Sequence, residues 1–268
     1  MAYPIEDSER ALEWYRTQGE FYEAMTKAML HEAGIGIGMS VLDVGCGAGD
    51  VSTIVAKMVG PKGRVLGIDR DDRAVRSARA RASMLRLRNV EFLQADARQP
   101  SFPDSFDAVV GRFVLMYLED PATAVGRLKC CVRPNGFLAF LEPDYSGARS
   151  LEHLPLFQDV QSKIELVLQL SGADTRMGLK LQKVFIEAGL PRPELRCAAA
   201  IGGGPDFAGY KVAAGFVGLL LPIMEKFGVA KAADVDVETL AGRLRAEVVE
   251  SGGVIVFPSV VAAYSRVT

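Results

Sequence analysis

The run Val41-Leu42-Asp43-Val44-Gly45-Cys46-Gly47-Ala48-Gly49-Asp50 constrains the fold more than any other part of this chain. A short buried-strand pattern leads directly into glycines at every second position. Glycine permits a sharp turn and the close approach of a ligand because it has no Cβ. The helix that follows then offers its unpaired N–H groups to whatever binds in the turn. Asp43, an acid among apolar strand residues, is costly to bury without a hydrogen-bond partner. The spacing is G-x-G-x-G, and Asp50 stands where the dinucleotide fingerprint G-x-G-x-x-G/A has its third small residue. The turn therefore departs from the pattern expected for NAD.

The same strand-and-turn grammar repeats downstream. Gly60-Pro61-Lys62-Gly63 is a turn, and Arg64-Val65-Leu66-Gly67-Ile68-Asp69 reads as a second buried strand ending in an acid. Asp69 follows Gly49 by 20 residues, the distance at which a βαβ unit sets a carboxylate against ribose hydroxyls. A carboxylate is acceptor-only and takes both hydroxyls at once. The plainer reading is that Asp69 only precedes a helix cap at Asp71. Asp71 and Asp72 open a helix to about Arg86, whose arginines (Arg73, Arg76, Arg79, Arg81) read as a solvated face or as a nucleic-acid patch. Further strands are predicted at 89–96, 106–112 and 137–142, the last after the turn Arg133-Pro134-Asn135-Gly136. Strands alternating with helices give parallel pairing and right-handed crossovers, and ligands of such sheets sit at the carboxyl ends of the strands. Gly45, Asp69, Asp96, Arg112 and Asp144 all fall at such ends.

Asp43-Val44-Gly45-Cys46-Gly47-Ala48-Gly49, with the later acids and the R-P-x-G turn, resembles the first motif and layout of the class I S-adenosylmethionine (SAM)-dependent methyltransferases. The layout is most similar to the small-molecule enzymes of the ubiquinone/menaquinone and natural-product type. The resemblance is close over about 40–145, loose over 178–268, and weak in the segment between. It implies an α/β fold with a Rossmann-like seven-stranded, mostly parallel sheet, an antiparallel last strand and helical lid insertions. It also implies SAM as cofactor and S-adenosylhomocysteine as product, held by Asp43, Gly45, Cys46, Gly47, Gly49, Asp69, Arg70, Asp96, Ala97 and Arg112. In the family, a residue placed like Asp96 accepts from the adenine amino group, the next N–H meets a ring nitrogen, and the end of the fourth strand faces the methionine part. Arg112 then binds the methionine carboxylate, or its carbonyl holds the amine. Pairing of Arg112 with Asp43 or Glu142 is the plainer reading, and these choices are not exclusive.

The expected organisation is an N-terminal helical cap over 1–40, a SAM-binding core over 41–144, a lid segment over 145–177, a core helix and sixth strand over 178–204, a helical lid insertion over 205–250 and the final strand over 251–268. The strands themselves are expected at 193–202 and 253–265. The helices at 8–34 carry Trp14, Tyr15, Phe21 and Tyr22, which either fold over the ligands or pack as ordinary anchors. The apolar run within 205–250 is read as a lid, with a dimer interface or core helix as the alternative. Methyl transfer from a sulfonium needs mainly positioning, worth on the order of 7–11 kcal/mol, while a general base adds ~10²–10⁴-fold when the acceptor must lose a proton. The base candidates are His153, one of only two histidines, which could be an ordinary surface residue, and, near the reacting end, Asp144, which could instead cap the next turn, with Glu142, Tyr145 and Tyr117. Tyr15, Tyr117 and Tyr145 are the candidate substrate contacts.

Composition narrows the partners. The formal net charge is −2, so no broad electrostatic footprint for nucleic acid is expected. Cys46, Cys130, Cys131 and Cys197 show no metal spacing, so no metal is expected, and a reduced cytoplasmic protein fits. The opening residues Met1-Ala2-Tyr3-Pro4-Ile5-Glu6-Asp7 lack a secretory pattern. The uncharged run from Val212 to Met224 has 13 residues and includes Pro222, too short to span a bilayer. The expected partner is a small apolar or aromatic acceptor methylated on O, N or C, without membrane or nucleic acid, and with a homodimer if 205–250 is an interface. Two other readings stay open: a SAM-binding protein of the same fold that transfers no methyl, as a cyclase or regulator, and a nicotinamide-dependent oxidoreductase, which the glycine spacing and Asp50 disfavour.

Overall fold

The computed structural model describes residues 9–102 and 106–267, with side chains from residue 14 onward. Residues 1–8 of the expected cap, 103–105 of the expected core and 268 of the final strand lie outside the described residues. In chain order the elements are α1 (Glu9–Ala33), β1 (Ser40–Val44), α2 (Asp50–Val59), β2 (Arg64–Asp69), α3 (Asp72–Met84), β3 (Val90–Gln94), β4 (Phe106–Arg112), α4 (Pro121–Lys129) and β5 (Val132–Asp144). They continue with β6 (Arg149–Ser150), α5 (Pro155–Leu170), α6 (Met177–Glu187), β7 (Glu194–Ala198), β8 (Ile201–Gly202), α7 (Gly209–Lys226), α8 (Ala232–Val235), α9 (Val237–Ser251), β9 (Ile255–Val256) and β10 (Ser259–Arg266). These elements form two compact units. A sheet unit holds Tyr22–Glu142, Met177–Cys197 and the stretch from Val261, and a helical unit holds the stretch up to Phe21, Pro143–Arg176 and Ala198–Val260.

The sheet unit is built on seven strands in the order β3-β2-β1-β4-β5-β10-β7. The pairs from β3 to β5 are parallel, with Val41 opposite Val65 on one side and Ala108 on the other. Strands covered on both faces read as continuous apolar runs, and every residue of β4 is buried. The final strand β10 lies between β5 and β7. The Val267 N–H donates to the Gly136 carbonyl at 2.8 Å and the Asn135 N–H to the Val267 carbonyl at 3.1 Å. The end of β10 thus meets the start of β5, which makes it antiparallel. Phe185 of α6 packs edge-to-face on Phe140 of β5, with centroids 6.3 Å apart.

Local chemistry sets the helix ends. The Asp71 carboxylate accepts the Arg73 N–H at 2.9 Å and starts α3, as expected of an N-cap. That helix stops at Met84 rather than near Arg86, because Arg86 takes a φ of 54°. Its arginines are spent within the chain: Arg79 donates to the Phe92 carbonyl at 2.7 Å, Arg76 pairs with Asp72 and Arg81 with Asp50.

The helical unit corrects the two late strands. The segments expected at 193–202 and 253–265 each divide: β7 and β10 stay in the large sheet, while β8 and β9 join β6 in a small antiparallel sheet of order β6-β9-β8. Pro258 separates β9 from β10. Lacking an N–H, proline interrupts a ladder. In the same unit α5, α7 and α9 pack together. The uncharged run 212–224 lies within α7 and supplies its core face, with Val212, Val217, Leu220 and Met224 buried. Residue Leu154 gives α5 no side-chain cap. Glu247 of α9 substitutes, accepting the Leu156 and Phe157 N–H groups at 2.7 and 2.9 Å. Among the described residues no helix is long and apolar enough to cross a membrane.

Candidate cofactor and active site

The turn after β1 is held in a form only glycine adopts easily. Gly45, Gly47 and Gly49 have φ of 63°, 51° and 82°, the left-handed region that a Cβ disfavours. At Gly45 a Cβ would also stand 2.5 Å from Cγ2 of Val114, whereas at Gly47 it would meet nothing within 4 Å. The first glycine is demanded by packing, and the second leaves open space against the backbone. Cys46 belongs to the cluster of Val75, Ala78, Ala82 and Phe92, and burial pushes its thiol well above the usual range. Its backbone is bonded within the turn, the N–H donating to the Ile68 carbonyl at 3.0 Å and the carbonyl accepting the Gly49 N–H at 2.8 Å.

Asp69 ends β2 and braces this turn. One carboxylate oxygen accepts the Gly47 N–H at 2.9 Å and the other the Asp71 N–H at 2.9 Å. A carboxylate has about four acceptor positions, so these two bonds orient it without exhausting it. Burial raises its pKa, against the two backbone donors. The helix cap is Asp71, two residues further on, whose side chain accepts the Arg73 N–H.

A group of buried charges lies beside the turn. Asp43 accepts from the Ser52 hydroxyl at 2.5 Å. Burial nevertheless pushes it up to about 7. Asp50, the first residue of α2, pairs with Arg81. Arg112, at the end of β4, is buried and donates from Nη1 to the Thr26 hydroxyl at 2.8 Å. The direct partner is thus neither Asp43 nor Glu142. Asp50 and then Asp43 offset the burial of the Arg112 cation at longer range. Burial pushes the Tyr22 hydroxyl up to about 12, which keeps it neutral.

The segment after β4 is strained and pinned. Phe113 has a φ of 59°, a conformation that costs a non-glycine residue about 1–3 kcal/mol and tends to mark functional sites. Its ring sits 5.5 Å from that of Tyr22 and 5.5 Å from the Arg112 guanidinium carbon. Glu142, fully buried at the end of β5, accepts the N–H groups of Val114 (2.9 Å), Leu115 (2.8 Å) and Met116 (3.2 Å). Sequence reasoning did not find Thr26, Phe113 or this anchoring role of Glu142. The one available signal was the spacing of Tyr22 and Thr26, four apart and hence on one helix face.

The remaining candidates are placed as follows. Asp96 follows β3 and is gripped by Arg98, with Nε at 3.0 Å from both oxygens and Nη2 at 2.6 Å. These bonds lower its pKa. Ala97 is next in the chain, and the Arg70 carbonyl accepts from Gln94 at 3.1 Å. Tyr117 is half-buried in a helical turn after β4. The other four belong to the helical unit. Tyr15 packs 5.4 Å from the Trp14 ring, and the Tyr145 N–H donates to the Thr175 carbonyl at 2.9 Å. Asp144 is buried and caps the turn behind it, accepting the Ser146 hydroxyl at 2.7 Å. His153 is exposed ahead of α5. Among the described residues no cluster of His, Cys, Asp or Glu could hold a metal.

Within the sheet unit, an open glycine backbone, an oriented carboxylate acceptor one strand over and a buried guanidinium donor at β4 make a set of groups that fits a nucleoside bearing an amino acid. The methyltransferase-domain family matches residues 35–189. The chain belongs to the class I SAM-dependent methyltransferases. Its cofactor is SAM. This methyltransferase is 30% identical to the 2-phytyl-1,4-naphtoquinone methyltransferase of Synechococcus elongatus, over 69% of this chain and 78% of that one. It is 34% identical to the aklanonic acid methyltransferase of a Streptomyces species, over 46% of this chain but only 57% of the relative's length. A putative methyltransferase from Bacillus halodurans shares the fold, with a TM-score of 0.61 at 21% identity over 90% of this chain and 97% of the other.

Proposed function

We propose that this protein transfers a methyl group from SAM to oxygen, nitrogen or carbon of a small apolar or aromatic metabolite. The observation that carries the reading is the Asp69 carboxylate, tied by one oxygen to the glycine turn and by the other to the start of α3. In this reading Asp69 holds the ribose hydroxyls, with Arg70 beside it. Asp96 and the Ala97 N–H take the adenine edge, the backbone of 45–49 lies along the ligand, and Arg112 takes the carboxylate. Asp43 supports the turn through Ser52.

The bound sulfonium supplies an activated methyl group. The chain's own contribution is orientation, which is worth on the order of 7–11 kcal/mol when reactants are well aligned. We assign acceptor recognition to the helical unit, where 145–177 and 205–250 serve as the lid segments, with Tyr15 and Tyr145, and to Tyr117 of the sheet unit. Asp144 is the stronger base candidate, since it is buried and already accepts a hydroxyl, and His153 the second. The relatives named for aklanonic acid and a naphthoquinone support an aromatic acceptor, as does the ring-rich core of the helical unit.

The test is calorimetric titration with S-adenosylhomocysteine, with NADH as control, on wild type and Asp69→Ala. Micromolar binding of S-adenosylhomocysteine alone is expected, weakened at least about tenfold by the substitution. Equal binding by Asp69→Ala would falsify the site. A panel of quinols and phenols then reads turnover. Conversion of an acceptor without formation of S-adenosylhomocysteine would replace methyl transfer by the non-transferring alternative.

A further inference from the structure

We propose that Thr26 is a positioning residue for the cofactor's amino-acid end: its hydroxyl fixes the plane of the Arg112 guanidinium so that the remaining edge meets a carboxylate. This rests on the role given to Arg112 above and adds to it a residue of α1, 86 positions away in the chain.

Arg112 carries five N–H donors in a rigid fork, and among the described residues the fork makes one hydrogen bond, from Nη1 to Thr26. The acids around it are committed elsewhere. Asp43 is bonded to Ser52, Asp50 is paired with Arg81, and Glu142 is taken by three backbone N–H groups. Asp50 and Asp43 balance its charge at range. Neither makes the bidentate contact for which guanidinium geometry is suited. Tyr22, one turn earlier on the same face of α1, is neutral and supplies no counter-charge. The Phe113 ring stands 5.5 Å from the guanidinium carbon. Thr26 suits the holding role, being buried and β-branched, which leaves its side chain few rotamers. With Nη1 held, rotation of the fork stops, and the anion that completes it must come from a ligand. A carboxylate carried on an adenosyl thioether has the required chemistry.

The experiment compares two ligands by calorimetry: S-adenosylhomocysteine, and 5′-methylthioadenosine, which keeps adenosine and sulfur but lacks the amino acid. If wild type binds no S-adenosylhomocysteine, the SAM site itself fails, and with it this proposal. With wild-type binding in hand, Thr26→Val should weaken S-adenosylhomocysteine about tenfold, the scale of one charge-assisted contact, and leave methylthioadenosine within about twofold. Thr26→Ser, which keeps the hydroxyl, should restore wild-type affinity. Equal loss of both ligands, or loss of neither, overturns the proposal. Thr26→Ala is read in the same way should the valine variant not fold.

Discussion

The two units of this protein bury different things. In the sheet unit the interior includes Asp43, Asp50, Arg112 and Glu142, each with a named partner at or near a strand end. In the helical unit the interior is mainly apolar, with Asp144 and Thr175 among its few buried polar residues, and aromatic rings pack on one another. Trp14 stacks on Phe216 with centroids 4.7 Å apart, and Phe207 meets Phe21, Tyr210 and Phe257 within 6 Å. Directional polar groups suit a ligand whose chemical identity never changes, as a cofactor's does not. Apolar surface demands little direction and leaves specificity to shape, as in most small-molecule pockets. The comparison teaches that cofactor binding and acceptor choice should fail independently.

The sharpest way to break it is Trp14→Ala. Trp14 is the sole tryptophan, buried and bonded through Nε1 to the Val212 carbonyl at 3.4 Å. Its loss should cost the helical unit about 3–5 kcal/mol, the range for a large aromatic truncated in a core, as read by circular dichroism in urea. Affinity for S-adenosylhomocysteine should stay within about twofold, and a parallel fall in affinity would dissolve the distinction. Glu142→Gln tests the other side. An amide has one acceptor oxygen where the carboxylate used two, and its NH₂ would face a backbone N–H. A loss of about 1–3 kcal/mol is expected, the cost of leaving a buried donor unpaired, together with weaker cofactor binding.

Asp43→Asn sharpens the picture through pH. Burial holds the Asp43 carboxyl at about 7, above its ordinary 3.8. Between these values the folded protein keeps a proton that the unfolded chain releases. This group's contribution to stability therefore declines as pH rises through that window, by at most about 1.4 kcal/mol per pH unit. Melting temperatures from about pH 4 to 7 should fall more steeply for wild type than for Asp43→Asn. Parallel slopes would show that Asp43 is already ionised.

Much of the sheet unit was legible because its signals are local. Positive φ at Gly45, Gly47 and Gly49 is a property of single residues, and an acid at the end of β2 is a matter of spacing. The helical character of 205–250 was legible for the same reason, but the uncharged run did not say what it packs on. The late strands were read too long because Pro258 sat within an otherwise apolar stretch, and only the pairing of β8 with β9 showed that the chain changes sheets there. Of the two readings of Asp144, the structure shows the cap of the following turn.

The sequence by itself determined the glycine turn, the alternation that makes a parallel sheet and the acids at its strand ends, because backbone conformation and periodicity are written residue by residue. The tertiary structure alone decided what each buried charge touches. Thr26 meets Arg112 and Glu142 reaches across to the segment after β4 because α1 and β5 are brought to the same strand end. A contact between residues 86 apart leaves no local pattern, since its stabilisation exists only after the intervening chain has packed.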